Sequence, residues 1–332
     1  MRVLLIRLSS FGDVVFTLPA ARALKRAGSG VEVAWAIEAP LAPLVAGAPY
    51  VDRVLTATTR SWRRSPLSSA TRAELRAFLA EARAFAPDVV LDAQGLLKSA
   101  WATLLVPARR KIGFGLASAK ERLSCLALDE RVETRARHVA DRGLALVAHL
   151  TGRPRAERTP DVAHLLAAAP EPEVALWLAD RGTRPFALLQ PFSSSPPKEW
   201  RAEHVLDFAR RAAGDGLDAV VRFGPGERRR AETLVSASEG ALTLAPSTGP
   251  ASTALLASRA AVFVGADTGP THLAAAAATP TVALFGPTDP ARFGPIGPRA
   301  LVWPLPGYNS HADQAGREAR DVFVAARSLL RS

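Results

Sequence analysis

The sequence predicts a two-domain α/β protein in which each domain is a doubly wound parallel sheet flanked by helices. Three observations carry this. Short β-branched or leucine-rich runs alternate with alanine- and arginine-rich amphipathic stretches along the chain, the pattern of successive βα units. The chain has 332 residues, 48% hydrophobic and 22% charged, enough for two ordinary domains with separate cores. Finally, Pro170, Pro172 and Pro185 surround one short helical stretch at 167–185, which reads as the join between two sheets.

Taken in order, the apolar run at 2–8 predicts the first strand, and a helical pattern starts around Val14 to Leu18 and continues through 20–27. Strands are expected at 31–36 and 89–92, with a helix at 72–85 between them. Beyond the join, strands at 186–190, 219–223 and 261–266 alternate with helices at 204–213 and 228–239. The expected division is 1–168, 169–313, and a last helix in 314–332 packing back on the N-terminal domain. No repeat of 20 to 50 residues is present. Two such sheets would present the loops after their strands to each other across a cleft, where a ligand would lie.

Composition narrows the function classes. Cys125 is the only cysteine, so an intrachain disulfide and a cysteine-held metal cluster are excluded and a reducing compartment is expected. The first apolar run is broken by Arg7 and then Gly12-Asp13, unlike a secretory leader. The most apolar later stretch, 273–285, is interrupted by Thr279, Pro280 and Thr281, short of the ~20 apolar residues that span a bilayer. A soluble, cytoplasmic protein is expected. The formal charge is +11, with 25 Lys+Arg against 15 Asp+Glu in residues 1–165 and 17 against 16 in the remainder. A basic N-terminal half suits phosphate-bearing partners, although arginine richness can equally reflect genome composition.

Three loops carry candidate chemistry. After the first strand, Ser9-Ser10-Phe11-Gly12-Asp13 places an aspartate at a strand-to-helix turn, either as an N-cap or as a general base. After the strand at 261–266, Asp267-Thr268-Gly269-Pro270-Thr271-His272 reads as a helix start, whose unpaired N–H groups suit a diphosphate, or as an ordinary connection. The loop Gln190-Pro191-Phe192-Ser193-Ser194-Ser195-Pro196-Pro197-Lys198-Glu199-Trp200 offers hydroxyls and an ammonium. Lys198 is either a solvated surface lysine or the cation that neutralises a leaving diphosphate. The chain lacks Asp-x-Asp, His-Glu-x-x-His, a complete Gly-x-Gly-x-x-Gly and a P-loop motif; Gly113-Phe114-Gly115 is only a partial match. No metal, no dinucleotide and no other cofactor is therefore expected.

These loops, with Asp92-Ala93-Gln94-Gly95-Leu96-Leu97-Lys98-Ser99-Ala100 and Leu284-Phe285-Gly286-Pro287-Thr288-Asp289-Pro290, resemble in order and spacing the ADP-heptose:lipopolysaccharide heptosyltransferases of glycosyltransferase family 9. The resemblance spans almost the whole chain. The Asp92 block is more similar to the first heptosyltransferase, which acts on the Kdo sugar next to lipid A, than to the second. It implies a GT-B fold of two Rossmann-like domains and inverting transfer of heptose from ADP-heptose, with Asp13 as base. It further implies donor contacts from Ser193, Ser194, Lys198, Glu227, Asp267, Thr268, Gly269 and His272, with Thr248 where a methionine can pack near the adenine. The implied acceptor, an anionic Kdo-lipid A glycolipid, would meet Arg60, Arg63, Arg64, Gln94, Lys98 and Lys120, Gln94 serving equally well as a loop-closing hydrogen bonder. The segment around Arg60–Arg64, ahead of Pro66 and a serine-rich stretch, reads as a mobile loop.

Two other readings stand beside this one. A related GT-B transferase would use another nucleotide sugar or acceptor, and a donor panel separates the two. A non-catalytic basic binder of nucleic acid or membrane would need aromatic residues interleaved with its cations. Only 6% of residues are aromatic and most sit in core-like positions, so no nucleic-acid partner is expected. Peripheral contact with the anionic inner leaflet is compatible with a lipid-linked acceptor.

Overall fold

The computed structural model describes residues 1–65, 67–154, 156–305 and 315–331. It divides into two compact units, Met1–Pro160 and Asp161–Ser332.

The first unit runs β1 (Arg2–Ile6), α1 (Phe11–Lys25), β2 (Glu32–Glu38), β3 (Arg53–Ala57), α2 (Thr59–Arg64), α3 (Ser69–Phe85), β4 (Val89–Asp92), α4 (Leu97–Leu105), β5 (Arg110–Phe114), β6 (Glu130–Val132) and α5 (Val139–Thr151). The second runs α6 (Ala163–Leu166), α7 (Pro172–Arg181), β7 (Phe186–Gln190), α8 (Ala202–Gly214), β8 (Asp218–Val221), α9 (Arg228–Ala237), β9 (Leu242–Leu244), α10 (Pro250–Arg259), β10 (Val262–Ala266), α11 (Gly269–Ala276), β11 (Thr281–Phe285), α12 (Pro290–Phe293), β12 (Ala300–Pro304) and α13 (Ala315–Arg331).

Each unit holds one six-stranded sheet, ordered β3-β2-β1-β4-β5-β6 and β12-β11-β10-β7-β8-β9, with every strand pairing parallel. Both are doubly wound: the chain starts at the sheet centre, winds to one edge, returns and winds to the other. The strands are buried on both faces, which is why they read as continuous apolar runs. In the second unit Leu189, Val221 and Val264 enter one core with Phe208 of α8. Their neighbours Leu188, Val220 and Phe263 enter the other with Leu256 of α10, as the two-residue period of a strand requires.

Two boundaries differ from the sequence reading. The units divide at Pro160 and Asp161 rather than at 168, because α6 packs on α10 and so belongs to the second unit. The C-terminal helix belongs to the second unit, packing on α8, β10 and β11. Its Val322, Ala325 and Ala326 complete the second unit's core, and Phe323 meets Phe208 edge-on at 5.5 Å. Gln314, the expected first residue of that helix, lies outside the described residues.

The segment read as a mobile loop is instead ordered structure. Arg60 to Arg64 form α2, because Trp62 is buried against Phe78 and Trp101 and Ser61 donates to Glu74 of α3. The serine-rich stretch enters α3, with the Ser68 hydroxyl accepting from Thr71 N–H at its N-terminus. Pro66 lies outside the described residues.

Winding in opposite directions leaves a switch point in each sheet, where the loops after neighbouring strands diverge and leave a crevice. In the first unit Ile6 pairs with Asp92; in the second Gly265 pairs with Gln190. The candidate loops therefore start abreast of one another, two in each sheet. Gly265 is required by this close approach, since a Cβ there would stand 2.7 Å from Thr271 Oγ1 and 2.9 Å from Gln190 Cβ.

Candidate active site

In the first unit the loops after β1 and β4 are laced together. Helix α1 starts at Phe11 with Ser10 as its N-cap residue, so Asp13 is the third residue of the first turn, not the cap itself. Its Oδ2 accepts from Ser10 N–H at 3.3 Å and Ser10 Oγ at 3.1 Å, which is the carboxylate half of a capping box. Its Oδ1 meets Arg7 Nη2 at 2.9 Å. Burial pushes the Asp13 carboxyl up, but the Arg7 charge and the Ser10 hydrogen bonds outweigh it and hold the group below the usual carboxylate range. The side chain is 26% exposed, and a carboxylate has lone pairs beyond these partners. Asp13 is thus both the carboxylate partner of the Ser10 cap and an accessible anion.

Arg7 is buried and also donates to Ala93 O. Gln94 is buried too, its Oε1 accepting from Leu8 N–H at 2.8 Å, so its amide oxygen closes the two loops together. Asp92 Oδ1 accepts from Gln94 N–H and Gly95 N–H, and Oδ2 from Ser99 Oγ at 2.8 Å. Burial raises the Asp92 carboxyl, only partly offset by those hydrogen bonds. Lys98, in the first turn of α4, donates to Ser9 Oγ, bringing an ammonium to the Asp13 loop. Lys120 is exposed and its backbone lies against Gly95. Arg64 is exposed on the last turn of α2; the side chains of Arg60 and Arg63 lie outside the described residues.

In the second unit Asp267 is the hub. Lys198 Nζ donates to its Oδ2 at 2.7 Å, Thr288 Oγ1 donates to the same oxygen at 2.7 Å, and His272 Nε2 lies 3.0 Å from Oδ1. Burial alone would raise this carboxyl; the hydrogen bonds and charge from His272, then the Lys198 and Thr288 bonds, bring it down to about 2. Thr268 caps α11 without a side-chain bond, and the N–H groups of Thr268 and Gly269 have no acceptor among the described residues. They leave the positive end of α11 next to Asp267, to which Lys198 is bonded.

That loop is tied down at its base. Trp200 N–H donates to Pro191 O at 3.0 Å, and the Trp200 ring is buried against Phe208. Glu199 accepts from Ser193 N–H and pairs with Arg230. Ser193 is buried and Ser194 exposed. Of the motif Lys198-Glu199-Trp200, only the lysine reaches the hub; the other two residues hold the loop's shape.

Glu227 precedes α9 and accepts from Gly224 N–H at 2.6 Å, closing its own turn. Thr248 is half-buried and accepts from Thr253 Oγ1 at 2.9 Å and Arg222 Nη2 at 3.3 Å.

Four residues of these clusters carry no signal of their own in the sequence. Arg7 and Arg222 look there like ordinary arginines within or after a strand. Arg222 is buried and joins Gln190 to Thr248; burial lowers its guanidinium to about 10, with Glu227 partly restoring it. Ser99 and Thr288 lie inside quoted blocks, yet a hydroxyl's role depends on which carboxylate it meets. Among the described residues no group of three or more His, Cys, Asp or Glu is placed to hold a metal ion, and no helix is long and apolar enough to cross a membrane.

With this geometry in hand, comparison with known proteins is direct. The pattern of the family described as glycosyltransferase family 9 (heptosyltransferase) matches residues 75–319. Lipopolysaccharide heptosyltransferase 1 of Pseudomonas aeruginosa is 34% identical over 304 residues, 90% of this chain and 82% of that protein. The solved structure of E. coli heptosyltransferase WaaC with ADP superposes with a TM-score of 0.83 at 28% identity, covering 98% of this chain and 100% of that one. WaaC with ADP-2-deoxy-2-fluoro heptose gives 0.80 at 28% identity over 98% and 99% of the two chains. The two doubly wound units are those of the GT-B glycosyltransferase fold, and the family match covers both the Asp92 and Asp267 loops. The chain belongs to glycosyltransferase family 9, the heptosyltransferases, and is a glycosyltransferase.

Proposed function

We propose that this enzyme transfers heptose from ADP-heptose to a hydroxyl of Kdo in the lipid A inner core, with inversion, as a step of lipopolysaccharide core assembly. The observation that carries the reading is the division of labour between the two switch points. One holds a partly exposed carboxylate kept ionised by Arg7 and Ser10; the other holds an ammonium and a helix N-terminus around Asp267. The first suits a hydroxyl nucleophile and the second a diphosphate leaving group. WaaC, solved with ADP and with a fluorinated ADP-heptose, supports the donor assignment.

In the proposed reaction the Kdo hydroxyl oxygen attacks the anomeric carbon opposite the diphosphate. The bond from that carbon to the phosphate oxygen breaks, its electron pair leaves with ADP, and the hydroxyl proton passes to Asp13. A carboxylate of such low basicity takes the proton late, when the forming bond has made the hydroxyl strongly acidic. Lys198 keeps two N–H bonds beyond the one given to Asp267, and these with the Thr268 and Gly269 N–H groups neutralise the departing diphosphate. Arg64, Lys98 and Lys120 supply cations for the Kdo carboxylates and lipid A phosphates. The lipid-linked acceptor puts the reaction at the cytoplasmic face of the inner membrane.

The test is transfer by purified protein, in EDTA, from ADP-heptose to deacylated Kdo-lipid A, with Asp13→Ala beside the wild type and UDP- and GDP-sugars as competing donors. Transfer from ADP-heptose that the variant loses supports donor, base and metal independence together. No transfer from the wild type, or equal use of other donors, rejects the donor assignment. A variant that folds normally and keeps full rate rejects Asp13 as base.

A further inference from the structure

The first unit exposes apolar side chains beyond those that close its core, Trp101 alone among them packing also on the core residue Trp62. Along α4, Leu97 is 50% exposed, Trp101 41% and Leu104 54%; beside it, on the short helical turn Arg122–Ala127, Leu123 is 66% exposed and Leu126 74%. The two elements pack side by side, and between them lies a pocket of about 720 Å³ lined by these five residues together with Lys98 and Glu121 among others. Contiguous apolar surface of this kind on a soluble domain marks a docking face.

Its rim says what docks. Lys98 stands in the lining itself. Lys111 donates its ammonium to Leu104 O at the end of α4, and Lys120 and Arg122 flank Glu121, both exposed. Among the described lining residues the one carboxylate, Glu121, is turned onto Leu97 N–H at 2.5 Å. Apolar side chains, an indole among them, and a cationic border match the layers of an anionic bilayer surface, where acyl chains lie beneath phosphates. A protein partner would be expected to meet a more mixed polar rim.

We infer that the α4 face, with Leu97, Trp101, Leu104, Leu123 and Leu126 as its inserting residues, docks this enzyme on an anionic phospholipid bilayer. Lys98 lines this groove and also donates to Ser9 in the loop before Asp13, so docking sets the acceptor site at the lipid phosphates. That consequence, though not the docking, rests on the proposed function.

The experiment is flotation of the purified enzyme with vesicles of phosphatidylethanolamine and phosphatidylglycerol. Wild type is compared with Leu123→Ser/Leu126→Ser and with Leu176→Ser, which changes an equally exposed leucine of the second unit. The double variant is expected to lose roughly tenfold in partitioning, while Leu176→Ser floats as wild type. The wild type should retain part of its binding at high salt, because insertion is apolar. The double variant should still transfer to deacylated acceptor in solution, yet transfer poorly to acceptor embedded in vesicles. Equal flotation of double variant and wild type, or binding abolished by salt alone, overturns the inference. So does failure of the wild type to float while it self-associates through Leu123 and Leu126, which assigns the face to a second copy. Flotation needs no transfer, so it stands if the donor or acceptor proves different.

Discussion

Replacing Asp267 by asparagine keeps the shape of the hub and removes its charge. The carboxyl moves from 3.8 to about 2 in the folded protein, which at 1.36 kcal/mol per pH unit is roughly 2 kcal/mol of stabilisation. The side chain is only 4% exposed, so solvent screening does not erase this. In the sign convention of proton linkage, the unfolded chain binds the proton more readily than the native protein. The contribution is therefore complete above about pH 4 and disappears as the pH falls through about 2. Asp267→Asn should lower the unfolding free energy of the second unit by about 2 kcal/mol at pH 7, read from urea midpoints and from hydrogen exchange of the α11 amides. The gap from wild type should narrow as the medium is acidified from pH 4 toward 2. A variant as stable as wild type at pH 7, or a gap that does not change with pH, would refute the account of Asp267 as an ion-paired hub.

Arg7→Met removes the cation at 2.9 Å from Asp13 and leaves burial opposed by the Ser10 hydrogen bonds alone, so the Asp13 carboxyl should rise and the acid limb of the transfer-rate profile should move to higher pH; an unmoved limb would detach Arg7 from the base. Lys198→Ala should cost on the order of 10²-fold in transfer rate and weaken ADP binding by calorimetry, whereas an unchanged rate would make the lysine a strut for Asp267 alone. Gly95 has φ +65°, and a Cβ there would come 3.3 Å from the Phe114 ring, so Gly95→Ala should destabilise the first unit by about 1–2 kcal/mol; a thermal midpoint within error of wild type would contradict that strain.

Much of the fold is written locally. Strands such as Phe186–Gln190, apolar at every position but the last, and Val262–Ala266, which holds no polar side chain, read so because both faces of a parallel sheet are buried. The helix patterns likewise locate α3 and α8 within a few residues. The short edge strands Glu130–Val132 and Leu242–Leu244 carry too few residues for a period to declare itself. Helix α2 escapes a sequence reading because its arginines and nearby serines suggest a solvated loop, and only the burial of Trp62 against α3 and α4 overrides that composition.

The site divides in the same way. Asp13, Lys198 and Asp267 can be singled out because each lies in a short loop beside a strand end, in a block whose order and spacing resemble a known family. Their partners cannot. Arg7 and Asp13 are near in sequence, yet their pairing depends on how α1 leaves β1; Lys198 and Asp267 lie 69 residues apart, joined only because β7 and β10 are neighbours in the sheet. The sequence alone determined the alternation of apolar and amphipathic runs, the loops that carry chemistry and the surplus of cations in the first half, since these are properties of residues and their spacing. Tertiary structure alone decided which carboxylate meets which cation, that Gln94 closes a loop, that α13 completes the second core and that the leucines beside α4 stay uncovered, because those depend on strand order and on what packs against each face.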